Sequence, residues 1–166
     1  IPFLYAALGL WAALAWSSLA GRIATGLVAA AAPGGDNSPV AGALDPVTQT
    51  FTHFNYNAKD PGSPSGHVEH ITQDRDGMLW LATRGGLDRL DPVSLRFTHY
   101  RNDPKDPRSL GSNDNRYVLE DRQGVLWVAT AVGPETFDRQ TGKVMRRYSS
   151  PYPAQTPLDR ILEDRS

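Results

Sequence analysis

The chain has 166 residues, 17 basic and 18 acidic, for a net charge of −1, and it contains no cysteine. This balance gives no reason to expect a nucleic-acid partner, and the missing cysteines exclude a disulfide framework and thiol chemistry. A chain of this length would ordinarily be one domain, but an internal repeat overrides that expectation.

Residues 1–21 carry no charge; Arg22 is the first, and 23–32 are again small and apolar. An uncharged stretch this long is enough to span a bilayer. Ala29 to Ala32 offer the small residues that suit signal-peptidase cleavage. Residues 1–32 therefore read as an apolar N-terminal helix, either a signal peptide without its basic start or an uncleaved anchor. A degenerate repeat unit is the alternative, and the poor strand propensity of the alanine run weighs against it. Residues 33–42 are rich in Pro, Gly, Asn and Ser and read as a linker.

From residue 43 onward the chain repeats. Leu44-Asp45-Pro46-Val47-Thr48-Gln49-Thr50-Phe51-Thr52-His53-Phe54 returns 46 residues later as Leu90-Asp91-Pro92-Val93-Ser94-Leu95-Arg96-Phe97-Thr98-His99-Tyr100. Asp-Pro followed by polar residues signals a turn, and the alternation of aromatic and β-branched residues signals a strand. Lys59-Asp60-Pro61 recurs as Lys105-Asp106-Pro107, in a loop.

The clearest copy is Asp74-Arg75-Asp76-Gly77-Met78-Leu79-Trp80-Leu81-Ala82-Thr83. It returns 47 residues on as Asp121-Arg122-Gln123-Gly124-Val125-Leu126-Trp127-Val128-Ala129-Thr130. Each copy opens with a tight turn: glycine supplies the positive-φ position and aspartate bonds its own backbone. Each closes with an apolar run of strand length, apolar on both faces, as expected of a strand inside a layered structure. A third copy opens at Leu162-Glu163-Asp164-Arg165. About four short strands per unit make one blade of a β-propeller. The expected fold is all-β: antiparallel four-stranded blades over residues 43–166, about two and a half repeats. Such a number cannot close a ring, so the chain is expected to be a piece of a longer propeller.

The acidic turn with glycine, Leu-Trp-Leu/Val-Ala-Thr, Gly-Gly-Leu-Asp-Arg-Leu-Asp-Pro and Phe-Thr-His-Tyr together resemble the two-component-regulator propeller repeat. The resemblance covers roughly 43–166. The second copy departs from it where Gly85-Gly86-Leu87 becomes Val132-Gly133-Pro134. Proline cannot donate to a ladder, so the third strand of that blade is expected to start late or sit at an edge.

Candidate chemistry is sparse. His53 and His99 are repeat equivalents, which favours a structural role. His67 and His70 have no such copies; Asp114 and Tyr117 stand in their places. The His67–His70 spacing suits a metal on a helix, but not on a strand, where the two side chains point apart. Asp74, Asp76 and Gly77 look like part of a calcium loop, yet Thr72 and Thr83 occupy the remaining ligand places, so a turn is the better reading. A sialidase-type box is disfavoured by Arg75 and Arg122, which stand where it wants aspartate. Trp80 and Trp127 read as equivalent buried core residues, whereas Trp11 and Trp16 lie in the apolar leader. The positions singled out, Asp74, Gly77, Trp80, Asp121, Gly124 and Trp127, are structural repeat positions. No catalytic, cofactor-binding or metal-binding residue is assigned.

The resemblance implies an extracytoplasmic sensor segment of a membrane signalling protein, a hybrid histidine kinase or a diguanylate cyclase. The propeller is expected in the periplasm and the protein in the inner membrane. Expected partners are a small ligand such as an oligosaccharide, the remaining blades and the downstream signalling domains, with a homodimer left open. A propeller enzyme, such as a polysaccharide or ester-bond lyase, and a protein-interaction scaffold are the alternatives.

Overall fold

The computed structural model describes residues 54–149 and 161–164 in full and only the backbone of strands at 32–33, 39–45 and 50–53. The stretch 1–31, on which the leader reading rests, lies outside the described residues. Among the described residues there are eleven strands and no helix, so none that is long and apolar enough to cross a membrane. β1 (Ala32–Pro33), β2 (Pro39–Asp45) and β3 (Thr50–Phe54) form a three-stranded antiparallel sheet. β4 (Val68–Gln73), β5 (Leu79–Thr83), β6 (Gly86–Asp91) and β7 (Arg96–Tyr100) form the first four-stranded sheet. β8 (Asn115–Glu120), β9 (Leu126–Thr130), β10 (Gly133–Asp138) and β11 (Lys143–Arg147) form the second. In both four-stranded sheets consecutive strands pair antiparallel, which is the blade topology expected from the repeat.

β2 starts at Pro39, inside the stretch 33–42 that composition marks as a linker. Ala41 to Asp45 pair with Phe54 to Thr50, so a strand partner further along recruits the end of that polar stretch. A second difference concerns Pro134. It does not delay or displace the third strand of its sheet: β10 begins at Gly133, as β6 does at Gly86, and lies between β9 and β11. The Pro134 carbonyl accepts from Tyr148 N at 3.0 Å. Its nitrogen faces the same side, so the missing N–H removes only the reciprocal bond of that pair, and the ladder with β11 stops at Glu135 and Arg147, one pair short of that between β6 and β7.

Strand alternation divides each sheet into two apolar faces. Leu79, Leu81 and Leu90 cluster with Val68, Phe54 and Phe97, on the side of the three-stranded sheet. Trp80, Ala82 and Leu87 face the other way and pack into Val118, Leu126, Val128, Phe137 and Val144 of the second sheet. Trp80 is fully buried there, 5.9 Å from the Phe137 ring and 5.7 Å from that of Tyr100. Trp127 differs from expectation. It is only partly buried, because its face meets Tyr148 (5.2 Å) but no further four-stranded sheet among the described residues.

The repeated turn explains its own sequence. Asp74 Oδ1 accepts from the amides of Asp76 (3.0 Å) and Met78 (2.9 Å), and Oδ2 accepts from the Trp80 indole at 2.8 Å. Asp121 does the same for Val125 N and the Trp127 indole, each at 2.8 Å. Gly77 and Gly124 sit at φ 84° and 86°, where a Cβ is strained. One carboxylate thus fixes both the hairpin and the ring orientation of the tryptophan two strand positions in.

Neighbouring units are joined at these turns. Arg75 Nε pairs with Glu120 Oε1, and Glu120 Oε2 accepts from the Arg75 amide at 2.7 Å. The joint recurs one unit on, between Arg122 and Glu163, at 3.7 Å for the ion pair and 3.2 Å for the amide. Residues 161–164, the opening of the third copy, are therefore docked on the second sheet as 119–121 are on the first. Arg139, in the β10–β11 turn, adds a bridge to Asp74 (3.1 Å) and Glu120 (3.3 Å).

Candidate functional site

Antiparallel pairing places the loops at two ends. The turns 74–78, 92–95, 121–125 and 139–142 lie at one end, and the joints just described occupy it. At the other end run the long connections 55–67 and 101–114, together with the short turns 84–85 and 131–132. Long loops positioned by a rigid scaffold are where binding residues concentrate.

Both long connections are internally knotted. Ser63 Oγ donates to the carbonyls of Asn57 (2.9 Å) and Asp60 (2.8 Å) and accepts from Asn57 N (3.0 Å). Ser109 repeats this with Asp103 and Asp106. The carboxamide of Asn57 and the carboxylates of Asp60, Asp103 and Asp106 each cap an amide two residues on. This is turn chemistry that the recurring Lys-Asp-Pro had signalled.

Each connection is clipped to its sheet by a buried acid on the third strand. Asp88, fully buried, accepts from Ser65 N (2.6 Å) and Ser65 Oγ (2.5 Å), with His99 Nδ1 at 2.8 Å. His99 Nε2 donates to the Pro61 carbonyl at 2.9 Å. In the second sheet Glu135, 1% exposed, accepts from Gly111 N with both oxygens (3.0 and 3.1 Å) and from Arg147 Nε at 2.6 Å. Arg147 also donates to the Ser109 carbonyl. A buried carboxylate is costly unless paired and hydrogen-bonded, and both acids are.

A Ser, His and Asp are thus brought together, which sequence reasoning did not place. They do not form a proton relay. A relay needs serine and carboxylate on opposite ring nitrogens, whereas Ser65 Oγ (2.9 Å) and Asp88 both lie against Nδ1. The carbonyl of Pro61 occupies Nε2, and Ser65 is almost fully buried. The trio holds the loop down, which gives His99 the structural role expected of it. His53 has only its backbone described, in β3.

His67 and His70 are not a metal pair. His67 precedes β4 and its carbonyl accepts from Arg84 N (3.0 Å), while the His70 ring stacks on Tyr117 at 3.7 Å. The same inner edge carries charges at the long-loop end. Arg84 Nε meets Glu69 Oε1 at 2.5 Å, and Arg116 meets Asp114 at 3.0 Å and Glu69 at 3.8 Å. The hydrogen bond that Arg84 donates to Glu69 raises its guanidinium above the ordinary value. Asp74, read as a turn residue, spends its carboxylate on two turn amides, an indole and Arg139. Among the described residues no group of three acidic, histidine or cysteine side chains is placed to hold a metal ion.

A cleft of about 640 Å³ opens over the first four-stranded sheet, between the two long connections. Its walls include Tyr56, Lys59, Ser65, Gly85, Arg101 and Asn113, with His99 beneath. Tyr56 is 56% exposed. Gly85 is needed for the close approach of the loop: a Cβ there would lie 1.9 Å from the Ser65 carbonyl oxygen. None of these positions was singled out from the sequence except His99.

Residues 62–85 and 109–131 match the two-component regulator propeller repeat. Each of these two stretches runs from a knotted loop through the Trp-bearing strand. Among curated proteins no significant match is found. Among solved structures the chain is similar to three structures of extracellular domains from B. thetaiotaomicron, two of them of the same protein. One is described as that of a hybrid two-component system (TM-score 0.60, 24% identity, 72% of this chain and 17% of that one). One is described as that of a one-component system (TM-score 0.59, 24% identity, 80% and 19%). The third is described as that of a hybrid two-component system (TM-score 0.52, 26% identity, 70% and 17%). The chain spans less than a fifth of the length of each.

Proposed function

We propose that this chain is a ligand-sensing propeller segment of a membrane-bound signalling protein of the two-component sensor or diguanylate cyclase type. Its ligand is a carbohydrate or another small extracytoplasmic molecule, and the propeller lies in the periplasm, anchored at the inner membrane. The remaining blades and the output domain are its covalent partners. The matched repeats and the extracellular domains that share the fold support this reading. The observation that carries it is the asymmetry of the two ends. One end is sealed by short turns and inter-sheet ion pairs, and the other holds an open, polar cleft with an exposed aromatic ring.

The test is a thermal-shift screen of the protein's extracytoplasmic region against oligosaccharides of differing composition. A ligand at a hundred times its Kd stabilises the folded state by about 2.7 kcal/mol, enough to move the melting transition. At least one oligosaccharide is expected to do so, and to lose its effect when Tyr56 is changed to Ala. A flat response across the panel, with normal signalling output after deletion of this segment, overturns the reading.

A further inference from the structure

Residues that line the cleft, do not recur and make no contact that holds the loop to its sheet are free for a ligand. Lys59, Asp60 and Ser63 recur as Lys105, Asp106 and Ser109. Tyr56 and Arg101 do not: the matching positions of the next unit are Asn102 and Ser149. Over the second sheet the same place is filled. Val132 stands where Gly85 does, and a Cβ on Gly111 would lie 2.5 Å from Val132 Cγ2 and 3.2 Å from Arg147 Nε. Over the first sheet that volume is open and is bordered by Lys59 and Arg101.

Arg101 is exposed, and its guanidinium touches Ser65 Oγ only at 3.5 Å. Among the described residues neither Arg101 nor Lys59 forms an ion pair. The one acid in the wall, Asp60, spends Oδ1 on Gly62 N at 2.8 Å. The wall therefore offers two unspent cations and a planar, half-exposed phenol. A guanidinium prefers a carboxylate, which it can grip with two parallel bonds. An aromatic ring with a polar tip suits a ring that is apolar on its face and polar at its rim.

We propose that this cleft takes a carboxylate-bearing saccharide, a uronate unit, with Arg101 and Lys59 on the carboxylate and Tyr56 against the sugar ring. The proposal rests on the ligand-sensing reading above and names its ligand class and site.

Calorimetric titration of the protein's extracytoplasmic region decides it. The probes are tetramers of galacturonate, glucuronate and mannuronate, with neutral galactotetraose and cellotetraose for comparison. At least one uronate tetramer is expected to bind about tenfold or more tighter than either neutral tetramer, with the advantage shrinking as salt rises. Arg101→Ser is expected to erase that advantage. Tyr56→Asn is expected to weaken both. Each variant carries the residue of the second repeat, and an unchanged melting curve shows that it folds. If neutral tetramers bind as tightly as uronates, or Arg101→Ser keeps the preference, the uronate proposal fails and ligand sensing stands. If no tetramer binds, the uronate proposal fails, and ligand sensing is decided by the oligosaccharide screen and the deletion.

Discussion

The first and second four-stranded sheets have the same strand order, the same turn and the same tryptophan, yet they solve two problems differently. Trp80 is sealed between sheets, whereas Trp127, with the same indole bond to its aspartate, remains partly open. The difference lies in what faces each ring and not in the strand that carries it. At the loop clip the substitutions are concerted. Ser65, Gly85, Asp88 and His99 of the first unit become Gly111, Val132, Glu135 and Arg147 of the second. The side chain moves from the loop to the turn, and the acid lengthens to reach a glycine amide. The group across the pair changes from an imidazole to a guanidinium. The repeat therefore keeps the bond from the loop amide to a buried carboxylate while exchanging the side chains around it.

The largest expected effect tests the first difference. Trp80→Ala removes a fully buried side chain and is expected to cost about 3–5 kcal/mol in denaturant unfolding. Trp127→Ala is expected to cost no more than about half of that, because part of its surface is already in water. Equal costs would mean that the two rings are equally packed in solution.

The second test exchanges the clip. Gly85→Val alone drives a Cβ into the Ser65 carbonyl and is expected to cost about 2–3 kcal/mol. The exchange of all four residues, Ser65→Gly, Gly85→Val, Asp88→Glu and His99→Arg, is expected to recover more than half of that loss. Residues in one network couple by amounts of this size. Strict additivity of the four changes would show that they are independent.

A third, smaller effect compares the pairs within the clips. Arg147→Met leaves Glu135 buried with only the Gly111 amide, and is expected to cost about 2–3 kcal/mol. His99→Phe leaves Asp88 with both Ser65 donors and is expected to cost about 1 kcal/mol. A reversed order would contradict the donor assignment.

The smallest effect is in acid. The Val93 amide holds the Asp91 carboxyl below the usual range. The Lys143 ammonium does so for Asp106, and the Thr141 hydroxyl for Asp138. A carboxyl held below its unfolded value contributes stability above about pH 4 and loses it as pH falls through the folded value. Replacing all three with Asn is therefore expected to lower the melting temperature at pH 6, by an amount that shrinks as the pH falls below about 4. A difference that does not shrink in acid would point to lost geometry and not to charge.

Much of this was legible in the sequence because the repeat advertises it. The turn glycines, the tryptophans and the Asp-Pro pairs recur in register, and the antiparallel blades follow from them. What could not be read was anything made by residues far apart in a single copy. Ser65, Asp88 and His99 meet only because a connection crosses the sheet. Glu135 and Arg147 look like ordinary surface charges until β10 and β11 pair. Pro134 leaves its strand in place because the missing N–H costs a single bond at the end of the ladder with β11. The cleft was hidden for the same reason: Tyr56 and Arg101 lie 45 residues apart on two different connections.

The joint from Arg75 to Glu120, echoed from Arg122 to Glu163, has a genealogical consequence. The second unit carries the acceptor of one joint, Glu120, and the donor of the next, Arg122, so it is self-complementary head to tail. An in-frame duplication of one unit inserts a blade whose two seams are already compatible with its neighbours, and a deletion heals the same way. Copy number can drift by unequal recombination without a lethal intermediate, while the non-recurring residues on the open end diverge from copy to copy.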